Sequence, residues 1–197
     1  AELGEARGGV PAELVFKISP RDHDAGLKRE FAVLDYFAAH TKMPVPKAFL
    51  LADDGEPVPG TVLVMSKIPG VVLHGAYATL SPADRARIDR EIADHVFDLH
   101  DSTLGGFGGV ELPPEQRHTR WGDFWLPRFD KAMDEARESG VIEASFFSRV
   151  DAVRPCFENW LADVIIPTVT HYDIWSGNVM VEKTGGEAHV SGFIDVP

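Results

Sequence analysis

With 197 residues, the chain has room for two small lobes, and its 44% hydrophobic and 25% charged content excludes a disordered, fibrous or coiled-coil protein. Nineteen Lys and Arg against 31 Asp and Glu leave a net charge of −12. That balance argues against a nucleic-acid or anionic-membrane surface, because both need clustered cations. Cys156 is the single cysteine, so no internal disulfide is possible and a reducing, cytoplasmic setting is expected. No apolar run approaches the roughly 20 residues of a membrane span, and no signal-peptide pattern opens the chain.

Taken in order, Gly8-Gly9-Val10-Pro11 reads as a turn and Leu14 to Ile18 as a strand, together one hairpin arm. Leu27, Phe31, Leu34 and Phe37 recur at helical spacing and predict an amphipathic helix from Asp24 to about His40, stopped by Met43-Pro44-Val45-Pro46. Ala48 to Ala52 and Thr61 to Lys67 read as strands around the polar turn Asp53 to Pro57, giving a small antiparallel sheet. Ile68-Pro69-Gly70 changes the character of the chain, so a lobe boundary is expected there, with 1–68 β-rich and 69–197 α-rich.

Ser81-Pro82 is an N-cap followed by proline at the first helical position. Ile88, Ile92, Val96 and Leu99 then form the inner stripe of a helix that runs to His100, while Arg85, Arg87, Asp89, Arg90 and Glu91 read as its solvated face. The glycines of Leu104 to Gly109 lack the preceding strand and following helix of a phosphate cradle, so the stretch reads as a connection. Helices are expected near Trp125 to Ser139 and Phe146 to Leu161, with Trp121, Phe124, Trp125, Phe129, Phe157 and Trp160 as core or interface aromatics. Cys156 is expected to be a buried packing residue of the second of these helices.

The chemistry concentrates in His171-Tyr172-Asp173-Ile174-Trp175-Ser176-Gly177-Asn178, followed by the strand Val179 to Val181, a Gly185-Gly186 turn, and Val190 to Asp195. A loop of the form HxDxxxxN can set Asp173 beside a hydroxyl whose proton must leave, while Asn178 offers a neutral oxygen and Asp195 an anionic one to a metal. Magnesium suits such a set, because it takes oxygen ligands and fills its octahedron with phosphates and water. Phosphoryl transfer needs a base, a metal and a fixed phosphate more than covalent help from the protein. Taken singly, an Asp or Asn in a loop usually serves turn hydrogen bonds. His171 and Asp173 also alternate as metal ligands would, but no third histidine or cysteine lies at a zinc spacing.

The loop HYDIWSGN resembles the catalytic loop of the aminoglycoside phosphotransferase and fructosamine kinase superfamily, the small-molecule relatives of protein kinases, and is nearest to the fructosamine kinase-like branch. Val15-Phe16-Lys17-Ile18 is similar to the strand that carries the phosphate-binding lysine, and Lys28-Arg29-Glu30-Phe31 to the helix that carries its glutamate partner. Val62 to Gly70 resembles the strand and hinge against which adenine docks.

The resemblance implies a bilobal, protein-kinase-like α+β fold, with a small antiparallel-sheet N-lobe and an α-rich C-lobe. It implies ATP and Mg2+ as cofactors and a small-molecule hydroxyl as acceptor, with Asp173 as base. Lys17 would orient the phosphates, Glu30 would fix Lys17, Ser66 and Ile68 would receive adenine, and Asn178 and Asp195 would hold magnesium. His171 is expected to scaffold the loop. Only 16 residues precede Lys17 and two follow Asp195, so relative to the family the chain is expected to be truncated at both ends. The alternative reading is a kinase-like nucleotide-binding or scaffold protein that has lost turnover.

Overall fold

The computed structural model describes residues 12–19, 24–53 and 60–196; the expected Gly8 to Pro11 turn lies outside them, as does most of the Asp53 to Pro57 turn. It divides into two compact units, 1–102 with 169–197, and 103–168. The lobe boundary read from the sequence at 68/69 falls inside the first unit.

The first unit begins with β1 (Leu14–Ser19), α1 (Asp24–His40), β2 (Ala48–Asp53) and β3 (Thr61–Ser66). These three strands form an antiparallel sheet in the order β1-β3-β2. The central strand β3 is the most buried, with Leu63 at 0% and Met65 at 3% exposure, as expected of a strand paired on both edges. In α1, Glu30, Val33, Leu34 and Phe37 are the buried positions, and their i, i+3, i+4, i+7 spacing defines one helix face. Burying Leu34 and Phe37 contributes about 1.5–3 kcal/mol each. Glu30 is carried inward on the same stripe.

A second sheet, in the order β4-β5-β6, joins β4 (Val71–Val72) to a hairpin of β5 (Val179–Thr184) and β6 (Glu187–Phe193). Gly185 and Gly186 have φ of 63° and 91°, which is the tight two-residue turn that suits the twist of a hairpin. At Gly70, φ is 95° and the Val181 carbonyl occupies the place a Cβ would need, so glycine alone lets β4 come against β5. The short strand β4 and the one-turn helix α2 (Leu73–Ala76) that follows it are too brief to leave a periodic signal.

Helix α3 (Pro82–His100) starts as expected: the Ser81 hydroxyl accepts from the Asp84 amide at 3.1 Å, with proline just inside the helix. Its charged face is not simply solvated. Asp84 accepts from the Ala188 amide at 3.1 Å, Arg87 bridges Asp84 and Glu187 at 2.7 Å each, and Glu91 accepts from the Val190 amide at 2.7 Å. Charges at i, i+3 and i+7 thus dock α3 on β6, a use that no pattern within the helix itself announces.

The second unit contains α4 (Trp121–Ser139), α5 (Ala144–Val153) and α6 (Phe157–Ala162). The single helix expected over Phe146 to Leu161 is instead broken by a 3-10 turn at Arg154–Cys156, where Pro155 removes a backbone donor. Arg154 clamps the break by a two-pronged pair with Asp130 of α4, at 2.7 and 2.6 Å. Cys156 consequently lies exposed rather than buried. Trp125, Phe129 and Phe157 pack as a ring cluster with centroids 4.9–5.9 Å apart, whereas Trp160 at its margin stays 60% exposed. No helix among the described residues is long and apolar enough to cross a membrane.

The Asp84 carboxyl is held down to about 2 from an ordinary 3.8, first by the Ser81 hydroxyl, then by the Ala188 amide and Arg87. A lowered carboxyl stabilises the fold above its unfolded value and loses that contribution as pH falls from about 3.8 toward about 2. Acid unfolding followed by circular dichroism is expected to lose its steepest part in that window in Asp84→Asn, and an unchanged profile would remove Asp84 from the α3–β6 tie.

Candidate active site

Every residue singled out as a site residue belongs to the first unit. Lys17 lies on β1 opposite Leu63 of β3, and Glu30 projects from the buried stripe of α1. The lysine Nζ meets Glu30 Oε1 at 2.6 Å and also pairs with Asp195 Oδ1 just beyond β6. Burial, the largest influence, pulls the ammonium down. Hydrogen bonds and charge from Asp195 and Glu30 outweigh it and hold Lys17 above its ordinary 10.5. The lysine is therefore a fixed positive charge at neutral pH.

Asp195 has φ of 54°, in the left-handed region that aspartate tolerates better than most residues. Tyr172, immediately before Asp173, has φ of 72°, a costlier conformation for a bulky residue. The two left-handed residues flank the places where the chain turns its carboxylates out of regular structure.

Asn178 fixes the loop. Its backbone N–H donates to the Trp175 carbonyl and its carbonyl accepts from the Ile194 amide, both at 2.9 Å, which ties the loop end to the strand that leads into Asp195. Its side-chain Nδ2 donates to the Asp173 carbonyl at 3.1 Å and to Asp173 Oδ2 at 2.9 Å. The amide oxygen is the acceptor left for a ligand. Asn178 is buried and Asp173 exposed, so an anchored amide holds a carboxylate that solvent can reach.

His171 is 2% exposed between Phe37 and Phe193, with ring centroids 6.4 and 6.2 Å away, and neither ring nitrogen has a hydrogen-bond partner among the described residues. Burial pushes its pKa below 6.5 despite the nearby Asp173 and Asp195 carboxylates. The imidazole is thus enclosed between the two rings, and burial favours its neutral form.

Lys17, Glu30 and Asp195 thus form one group, while Asp173 and Asn178 form a second that is joined to it through the Asn178–Ile194 backbone contact. Ser66 and Ile68 lie at the end of β3 and just after it. Ser66 closes β3, its hydroxyl accepting from the Lys47 amide at 2.8 Å, and the Ile68 side chain lies against Gly192. A cavity of about 560 Å3 opens beside the lysine, bordered by Lys17, Ser19, Gly26, Arg29, Glu30 and Val196; Asp173 and Asn178 do not line it.

The motifs left several supporting contacts unannounced. The Pro44 carbonyl accepts from the Phe193 amide at 2.8 Å, and Gly192 gives it room, since a Cβ there would lie 2.9 Å from that oxygen. His74 of α2 meets Ser176 in the loop. These are backbone and tertiary contacts, and only the Gly192 break in an apolar strand signals one of them.

The donors fit a magnesium ion. No group of three or more His, Cys, Asp or Glu able to hold a metal occurs among the described residues. Magnesium, however, needs only one or two protein carboxylates beside substrate phosphates. The Asn178 amide oxygen is such a hard ligand, and the pairing with Lys17 engages only Oδ1 of Asp195.

Lys17→Met leaves two carboxylates facing one another without their cation. The expected loss is about 1–3 kcal/mol in urea unfolding, below the cost at a fully buried pair because the lysine side chain is 30% exposed. Unchanged stability would show that the pair ties nothing together.

The sequence matches the phosphotransferase enzyme family, APH, over residues 3–195. No curated protein matches it. Among solved structures, the GDP and kanamycin complex of APH(2″)-IIia aligns with a TM-score of 0.60 at 15% identity, covering 93% of this chain and 60% of that one. The streptomycin–ATP–APH(2″)-IIa ternary complex aligns with 0.60 at 16%, covering 93% and 58%. A thermostable mutant of the aminoglycoside phosphotransferase APH(4)-Ia, in its apo form, aligns with 0.59 at 18%, covering 99% and 65%. The chain therefore spans about 60% of the length of these structures and shares their kinase-like α+β fold. By its family match, extending from residue 3 through Asp195, the chain belongs to the APH phosphotransferase family.

Proposed function

We propose that this chain carries the reaction centre of an ATP-dependent small-molecule kinase. The observation that carries the reading is the convergence on Lys17 of Glu30 and Asp195, with Asp173 held by Asn178 one backbone contact away. Lys17 would bind the α- and β-phosphates, with Glu30 keeping its ammonium in place. Backbone groups near Ser66 and Ile68 would take the adenine, at the boundary between a nucleotide-binding lobe of 1–68 and a catalytic lobe of 69–197.

Asp173 acts as the base. The acceptor hydroxyl oxygen forms a bond to the γ-phosphorus, the bond from that phosphorus to the bridging oxygen breaks, ADP leaves, and the hydroxyl proton passes to the Asp173 carboxylate. The hydrogen bond from Asn178 engages Oδ2, which orients the carboxylate for that transfer. Asn178 and Asp195 are the residues that would hold Mg2+, which when bound supplies charge neutralisation to the phosphates.

The solved relatives in complex with kanamycin and with streptomycin support a small, hydroxyl-bearing acceptor. The tryptophan-containing loop of this chain adds ketosamines to the acceptors worth testing. The lone, exposed Cys156 accords with a reducing, cytoplasmic location.

Assays with magnesium-ATP and a panel of ketosamines, aminoglycosides and amino alcohols are expected to identify an acceptor. Asp173→Asn is expected to lower turnover by roughly 10²–10⁴-fold while ATP affinity, measured by calorimetry, stays nearly constant. Full turnover in Asp173→Asn would refute the assignment of the base. ATP binding with no turnover of any acceptor would leave a nucleotide-binding scaffold instead.

A further inference from the structure

The loop that holds Asp173 has two limbs: the Asn178 side chain holds the Asp173 limb, and of the other limb Asn178 reaches the Trp175 carbonyl through its backbone N–H. The other limb, Trp175-Ser176, rests on α2. The His74 N–H donates to the Ser176 carbonyl at 2.9 Å, and the His74 ring Nδ1 lies 3.1 Å from the Ser176 hydroxyl. The same imidazole leans on the Trp175 indole, with centroids 5.8 Å apart and planes tilted by 56°. The indole itself lies against Gly177, where a Cβ would collide with the ring. One side chain therefore touches two consecutive loop residues, by a hydrogen bond to one and by a tilted ring contact to the other.

Such a tie matters because the loop is not in a relaxed conformation. Tyr172 is left-handed at φ 72°, and a strained residue of that size persists only where its surroundings over-determine it. Trp175 is 54% exposed and Ser176 only half-buried, so burial contributes little to holding this limb. Its hydrogen bonds must do so.

We infer that His74 is a positioning residue for the phosphoryl transfer, holding the Trp175-Ser176 limb so that Asp173 keeps the geometry a base requires. The inference rests on the kinase reading of the loop, and it adds a residue outside the family-like motifs. His74 touches neither nucleotide nor acceptor in this scheme. Its effect is on kcat, through the placement of a carboxylate that a displacement of about 1 Å would render roughly a hundredfold less effective.

The test uses three substitutions that all keep the backbone bond to Ser176. His74→Ala removes both ring contacts, His74→Phe keeps a ring against Trp175 without the polar atom, and His74→Asn restores a polar atom near the place of Nδ1. Magnesium-ATP turnover, measured as hydrolysis by water and with any acceptor found, is expected to fall roughly ten- to hundredfold in kcat for His74→Ala and His74→Phe. The KM for ATP should not change, and His74→Asn should recover most of the loss. Acrylamide quenching of the emission due to Trp175, taken as the difference from Trp175→Phe, should increase in His74→Ala.

Wild-type kcat in both His74→Ala and His74→Phe overturns the inference, as does a His74→Asn variant no better than His74→Phe. If the unaltered chain turns over no faster than Asp173→Asn, it is the kinase reading that fails. The quenching then decides the contact alone, and an unchanged Trp175 accessibility in His74→Ala overturns it.

Discussion

One ammonium group organises the first unit of this protein. Lys17 is paired with Glu30, 13 residues along the chain, and with Asp195, 178 residues along it. A strand, a helix and the end of a distant hairpin therefore meet at a single charge. Each carboxylate offsets the desolvation of the lysine, and neither could face the other without it. The sheet register that puts Lys17 opposite Leu63 and the helix stripe that turns Glu30 inward are both apolar solutions, yet together they deliver a polar centre.

Around that charge the protein spends conformational strain selectively. Non-glycine residues with positive φ among those described are Tyr172 and Asp195, one beside the proposed base and one among the proposed metal ligands. Elsewhere, left-handed positions go to glycine, as at Gly70 and in the Gly185-Gly186 turn. Strain at Asp195 is held in place by the Lys17 pair, and strain at Tyr172 by the bonds that Asn178 makes to Asp173 and Trp175 and that His74 makes to Ser176.

Much of this was legible in the sequence where a local rule carried it. The periodicity of Leu27 to Phe37 marked α1 with both ends correct, Ser81-Pro82 marked the start of α3, and the Gly-Gly pair marked the hairpin turn. The HxDxxxxN spacing drew attention to a loop whose Asp173 and Asn178 do hydrogen-bond one another. The rest is tertiary. Arg87 and Glu91 looked like solvent-facing charges because their partners, Glu187 and the Val190 amide, lie about a hundred residues away. Cys156 looked buried because the apolar pattern continued through Pro155, where the backbone does not continue as α-helix.

The split composition of the first unit, residues 1–102 completed by 169–197, has a consequence for biosynthesis. The three-stranded sheet and α1 can form early, but Asp195 reaches Lys17 only after the whole of 103–168 has been translated. Contacts of such long sequence separation form late and slowly. During that interval Lys17 has Glu30 alone for company and β4 does not yet have β5 beside it. Val71 and Val72 thus gain the pairing that makes them a strand only once β5 has been made, more than a hundred residues later in the chain.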